Sequence, residues 1–511
     1  MTSHPHKWNV RRAPGFRSFV TTLIVSLAAT ALALSAALPA RAVERSSRSA
    51  LPAPKPGSWI TLGPSQGGTT ATLLHVASGN DLVVWEAPVV GAKQHYEAVE
   101  LKPKGGLASQ PTDVFGGQDW GGLDETPTLA SEGGQPLLIL QGTRSDLSTD
   151  PYRSGCIVGD LRTSSGRQLQ SWSLSANCFA GHFGATITQS GTLSAAWPGG
   201  WANGYGIRYR IGTSSTIPAT PDDQHLSSGP GDNLAAAEAT ETGSQDVYAA
   251  WARSFSNPAS LDGTWAADLS KGSAPVQAPG SGTNVVAHQY EPVAMASPSG
   301  RGGIYLAYPN NVWPFTKIEL WRYGARTAAT VPGSASPTSV SISPGPAGRL
   351  WIAWWSGANG TVRVVRTNEA DNRFGPVETH AGPHGCKSDG SGTIRISSGS
   401  QQRLDVIMSC YDNLAAHGAD HASATQSIVP LQIAATTVSI NRRVGGSVTY
   451  RVSDVGDAVP GATVTVDGRR GKTNQAGRVT FRFAKGSGTG SFKVVASMTN
   501  YLKASTVLRI G

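Results

Sequence analysis

One pattern returns seven times between residues 61 and 428: a short apolar strand, a Gly/Ser/Pro turn, and a second apolar strand closing on a bulky side chain. The first copy spans 71–77, turns at Ser78-Gly79-Asn80 and continues Leu82-Val83-Val84-Trp85. Later copies close at Gln141, Trp197, Trp251, Tyr308, Trp354 and Met408, in steps of 56, 56, 54, 57, 46 and 54 residues. Spacing this regular marks a repeat architecture. In the sixth copy, 338–343 and 350–354 are followed by 361–367 and 374–379, so each unit offers four short strands.

Four strands per unit of about 50 residues is the make-up of a β-propeller blade. The first unit is preceded by Ser58-Trp59-Ile60-Thr61-Leu62, which reads like a fourth strand, and the last runs out near Pro430 after three. An N-terminal strand completing the last blade would lock the ring. No window sustains a 3.6-residue period, so helix is not expected. A single β-sandwich of this length would leave the period unexplained. The expected fold is all-β, a seven-bladed β-propeller over 58–430 with a small C-terminal β-sandwich over 431–511.

Residues 19–38 form an apolar run preceded by Lys7, Arg11, Arg12 and Arg17 and followed by Ala40-Arg41-Ala42. That order reads as a secretory signal peptide over 1–42, with 43–57 as a linker. A retained anchor is the alternative, since about 20 apolar residues can span a bilayer; the Ser and Thr within the run and its Ala-rich exit favour cleavage. The expected product is secreted and extracellular, with no membrane attachment after cleavage, and a monomer. The segment 1–42 holds five Lys/Arg and no acid, so the formal charge of +9 falls to +4 on cleavage. Nucleic acid thereby loses its main support as a partner. Cys156, Cys178, Cys386 and Cys410 remain, an even count that suggests disulfides, with three connectivities open. Nearest-neighbour pairing, 156 with 178 and 386 with 410, is the expected one.

The repeat grammar, as in Tyr290-Glu291-Pro292-Val293-Ala294-Met295-Ala296-Ser297 running on to Gly303-Ile304-Tyr305-Leu306-Ala307-Tyr308, resembles the sialidase-like, BNR-type propellers. That resemblance covers roughly 58–430 and implies a secreted protein of a group dominated by glycan-acting members. The family's Asp-box, Ser-x-Asp-x-Gly-x-Thr-Trp, is absent; Ser260-Leu261-Asp262-Gly263-Thr264-Trp265 comes nearest. Beyond Pro430, alternating strands are separated by turn residues. Their Pro460-Gly461-Ala462-Thr463-Val464-Thr465-Val466, Thr473-Asn474-Gln475-Ala476-Gly477 and Asn500-Tyr501 elements resemble bacterial Ig-like and carboxypeptidase-regulatory-like modules. That resemblance implies a spacer or adhesion unit, joined here by a short linker at 428–435.

In a propeller, the loops entering first strands and leaving second strands open on one face, where a site would be built. The repeated aromatic at each second-strand end is expected to pack between blades. Non-repeated aromatics beside it, Trp120, Trp201, Tyr205, Trp313, Trp355 and Tyr411, fall in those loops with Asn203, Asn310, Asn311 and Asn359. Flat rings beside amides suit sugar faces and hydroxyls, so Trp201, Trp313, Trp355 and Tyr411 are candidate ligand-binding residues. Arg144 and Arg253, in adjacent-but-one units, could clamp a carboxylated sugar. Acid–base chemistry needs paired groups on one cavity, and Glu86, Glu291, His288 and Tyr290 are the catalytic candidates. An enzyme of this kind would be a glycoside hydrolase or polysaccharide lyase. The other reading is a non-catalytic protein-binding or adhesion scaffold. The His417, Asp420 and His421 cluster matches no metal-loop spacing, so no metal or cofactor is expected. The expected partner is an extracellular glycan or cell-surface polysaccharide.

Overall fold

The computed structural model describes residues 57–511 apart from 66–70, 91–92, 104–105, 115–119, 124–126, 145–157, 166–167, 174–183, 200–205, 214–223, 227–231, 255–258, 283–292, 311–314, 385, 387–391, 399–402, 411–420, 429–430 and 500. Among the described residues, helix is confined to three 3-10 turns, Ala259–Leu261, Pro346–Gly348 and Gly357–Asn359. The rest is an all-β, propeller-like succession of small antiparallel sheets wound from consecutive strands.

Four sheets keep strict chain order. They begin at Gly184–Ile187, Asp232–Thr240, Ala294–Ala296 and Ser339–Pro344, and their second strands are Thr192–Gly199, Val247–Ser254, Tyr305–Asn310 and Leu350–Ser356. A further sheet holds Gly392–Ser397, Arg403–Cys410 and His421–Ile428, and its fourth strand is the N-terminal Ile60–Pro64. Ile60 pairs with Ala424 and Pro64 with His421. Thr425 Oγ1 donates to the Ser58 carbonyl at 2.8 Å. The two remaining units run together as one nine-stranded sheet, because Trp120–Leu123 bridges Lys93–Leu101 to Gln135–Arg144. Trp120 therefore lies in a strand, where a loop was expected.

The first strands touch in chain order, from Thr72–His75 through Thr128–Glu132, Gly184–Ile187, Asp232–Thr240, Ala294–Ala296 and Ser339–Pro344 to Gly392–Ser397, which returns to Thr72–His75. Close approach is built into the sequence at Gly184, where a Cβ would sit 2.8 Å from the Ala237 backbone. The repeated side chains Trp85, Trp197, Trp251, Tyr308, Trp354 and Met408 are all fully buried, each packed against the preceding sheet. Trp197 meets Leu137 and Ile139, Trp251 meets Ile207, Tyr308 meets Tyr248, and Trp354 meets Ile318 and Leu320. Trp85 meets Leu62, Ile407 and Ala424 of the last sheet, and its indole N–H donates to the Pro64 carbonyl at 3.1 Å. Each such ring removes roughly 150–250 Å² from water, so the repeat supplies the sheet-to-sheet attraction in equal instalments.

Residues beyond 430 form two more sheets around a common core of Val448, Tyr450, Val452, Val464, Val466, Phe481, Phe483, Val494 and Leu508. The segment expected as a linker is partly strand, since Gln432–Ala435 pairs with Tyr450–Ser453. Four residues of weak alternation gave no sign of this. Nor is this part tethered by chain alone. Asp454 Oδ2 meets the Arg366 guanidinium and lies 3.5 Å from Arg349 Nε, and Asp457 Oδ2 lies 2.8 Å from Arg349 Nη2. Both arginines belong to the repeat region. Tyr501 donates to Asp454 at 3.2 Å, and burial with the Asp454 charge pushes its phenol up to about 12.

Candidate functional site

The first strands enclose a central cavity of about 180 Å³. All seven contribute, and the wall is apolar or hydroxylic except for Glu238 and Arg395. Glu238 Oε1 accepts from the Ser194 hydroxyl at 2.8 Å, while Oε2 is enclosed without a hydrogen-bond partner. Burial pushes the Glu238 carboxyl well above the usual carboxylate range, against the hydrogen bonds from Ser194 and the Thr186 backbone. Arg395 approaches from the last sheet, its guanidinium 3.3 Å from the Ile394 carbonyl, and burial lowers it to about 10. Residue-by-residue reading missed both. The signal was a lone charge inside an otherwise small or apolar first strand, Leu-Ala-Ala-Ala-Glu-Ala and Thr-Ile-Arg-Ile-Ser.

A cavity of that size is below the roughly 300–1,000 Å³ of typical ligand pockets. It has room for water rather than for a larger ligand. A second cleft, of about 390 Å³, lies between the first two units, among Ser78, Glu100, Thr112, Gln135 and Ser164. Asn80 closes one side by donating to Glu100 at 2.6 Å.

The sequence candidates fall in separate places. Glu86 is wholly buried in the strand Asp81–Val90, opposite Tyr96. Arg253, 5% exposed, is the last residue but one of Val247–Ser254 and lies opposite Gly263. Burial lowers its pKa, and the charge of the neighbouring Asp262 opposes that. Gln277 donates to the Asp262 carbonyl at 2.6 Å and the Trp265 indole to Leu261 at 2.9 Å. Arg144 is the last residue of Gln135–Arg144, paired with Trp120. Trp355, expected in a loop, is fully buried with Ile394, Val406 and Met408. Asn310 is buried too and donates to Glu319 at 3.4 Å, whereas Asn359 is exposed and donates to Ser356 at 2.9 Å. Glu86, Arg144, Arg253 and Trp355 lie in four different units. Glu291, His288, Tyr290, Trp201, Trp313 and Tyr411 lie outside the described residues, as do Cys156 and Cys178.

Cys386 and Cys410 form a disulfide with Cα atoms 5.2 Å apart, at the end of the second strand Arg403–Cys410. Among the described residues, no group of three His, Cys, Asp or Glu is arranged to hold a metal ion, and no helix is long and apolar enough to cross a membrane.

No protein-family model and no curated protein matches the chain. Solved structures do match. A protein of unknown function from Dyadobacter fermentans is 11% identical with a TM-score of 0.38, over 74% of this chain and 99% of that one. The polysaccharide lyase Uly1 is 12% identical with a TM-score of 0.42, over 71% and 90%. The Aleuria aurantia lectin AAL, solved with Fucα1-6GlcNAc, is 9% identical with a TM-score of 0.35, over 81% and 98%.

Proposed function

We propose that the protein is a secreted seven-bladed propeller with a C-terminal β-sandwich, and that it binds an extracellular carbohydrate on the face where the second strands end. One observation carries this reading. The repeated aromatics are consumed by packing between sheets, each fully buried, so they are not the ligand surface. The non-repeated Trp201, Trp313 and Tyr411 follow in sequence directly after Thr192–Gly199, Tyr305–Asn310 and Arg403–Cys410, three second strands that run the same way around the ring. The segment His288-Gln289-Tyr290-Glu291 leads into the first strand Ala294–Ala296, which begins at that same end. On this reading those rings and ionisable groups share one face, the end at which Arg403–Cys410 carries the Cys386–Cys410 disulfide. Secretion is supported by the sequence of 1–42 and by the disulfide.

The test is a glycan array probed with residues 43–511, followed by product analysis on each glycan bound. Binding without cleavage is the expected result, weakened at least about tenfold by Trp201→Ala with Trp313→Ala at unchanged melting temperature. Release of reducing ends or unsaturated products would make it an enzyme. Absence of any glycan binding would leave the protein-docking scaffold as the reading.

A further inference from the structure

We infer that the C-terminal part carries a second binding surface, a basic sheet face that takes an acidic polysaccharide. Residues 431–511 hold twelve Lys and Arg against three Asp, a net charge of +9, while 43–430 hold 25 against 30. The whole-chain charge conceals this division. Two of the three carboxylates, Asp454 and Asp457, are spent on Arg366 and Arg349 of the repeat region, and only Asp467 is left to oppose the cations.

The cations are placed by strand alternation. Along Arg478–Phe483, Phe481 and Phe483 point into the core, and Arg478, Thr480 and Arg482 point out. Along Gly446–Asp454, Val448, Tyr450 and Val452 point in, and Ser447, Thr449 and Arg451 point out. Register sets Arg451 directly opposite Arg478 and Thr449 opposite Thr480, whose hydroxyls are 2.7 Å apart. Like charges directly opposed across a sheet are destabilising. Arg469 lies alongside, its guanidinium 4.7 Å from the Phe483 ring and bonded to the Arg482 carbonyl. Arg451 donates to the Gly456 carbonyl at 2.8 Å. Carbonyls and a ring thus hold these guanidiniums in place. Among the described residues, none of Arg451, Arg469, Arg478 and Arg482 is paired with a carboxylate.

The complement is a polyanion. Bidentate guanidiniums suit carboxylate or sulfate groups, and the hydroxyls of Ser447, Thr449 and Thr480 between them suit sugar hydroxyls. The aromatic residues of these two strands point inward, so the face offers no platform for stacking bases. The inference rests on the carbohydrate reading for its chemical class but sits at a different surface.

Polygalacturonate is the probe, immobilised and titrated with residues 43–511 across a salt series. Wild type should bind. The exposed triple replacement Arg451→Gln, Arg478→Gln, Arg482→Gln should weaken binding at least about tenfold and lower the salt slope by roughly two to three, with melting temperature maintained. Trp201→Ala with Trp313→Ala should leave polygalacturonate binding intact, which separates failure here from failure of the propeller-face reading. Unchanged binding by the triple variant would overturn the inference. So would displacement of the polyuronate by duplex DNA at equal charge concentration.

Discussion

Replacing Asp454 by Ala should unlock the C-terminal part from the repeat region. The Asp454, Arg366 and Arg349 side chains are 1%, 1% and 3% exposed, so solvent cannot take over the lost pairing. Arg349 keeps Asp457 at 2.8 Å and Glu369 at 2.9 Å. Arg366 is left beside the Trp351 ring, 5.0 Å from its centroid, with the Asp454 carboxylate gone. Breaking a buried pair from one side typically costs about 3–5 kcal/mol, against about 0–1 for an exposed one. Urea unfolding of residues 43–511 followed by tryptophan fluorescence and by calorimetry should show that loss, with one transition separating into two. The paired replacement Asp454→Leu with Arg366→Met should recover most of it, because an apolar substitute of similar volume is often neutral. A cost for Asp454→Ala below about 1 kcal/mol, with a single unchanged transition, would refute the view that the contact is buried and coupling. A truncation at Pro430 is expected to suffer for the same reason, since it removes Asp454 and Asp457 together.

Cys386→Ser should cost about 3 kcal/mol in the chain-entropy view, because the bond closes a sequence separation of 24 residues; denaturant midpoints with and without reductant check it, and equal midpoints for the wild type would contradict it. Strong acid should weaken the seam between the first and last sheets, where Arg403 meets Asp81. Burial alone would raise the Asp81 pKa, but hydrogen bonding to His75 and Asp405 and the Arg403 charge hold it below 3.8. The stability this carboxylate contributes is therefore complete above about pH 4 and lost as pH falls through its lowered folded value. Asp81→Asn should flatten the acid limb of a stability–pH curve, and an unaltered limb would exclude this group as its source.

The repeat was readable because each unit places its largest residue at the same register, and that residue packs against the preceding sheet. Strand closure followed from the same register, whereas the 386–410 pairing followed from nearest-neighbour spacing. Trp355 was misplaced because alternation distinguishes a wet face from a dry one, and sheets stacked around a ring have two dry faces. Trp354 and Trp355 point to opposite sides of one strand, and both are fully buried. Glu238 and Arg395 escaped notice because a charge in a strand usually signals solvent, whereas these border the central cavity. Asp454 looked like an ordinary surface acid. Only the neighbouring sheet that carries Arg366 makes it a buried one.

The strand Ile60–Pro64 has a consequence for how the molecule is made. Thr425 of its partner strand bonds Ser58, 367 residues away in sequence, so the first of the described strands waits for one of the last of the repeat region. Until then the nascent ring is an open arc with an unpaired edge at each end. A chain shortened so that it loses His421–Ile428 is expected to be left as an arc with two unpaired edges, prone to pair with its neighbours.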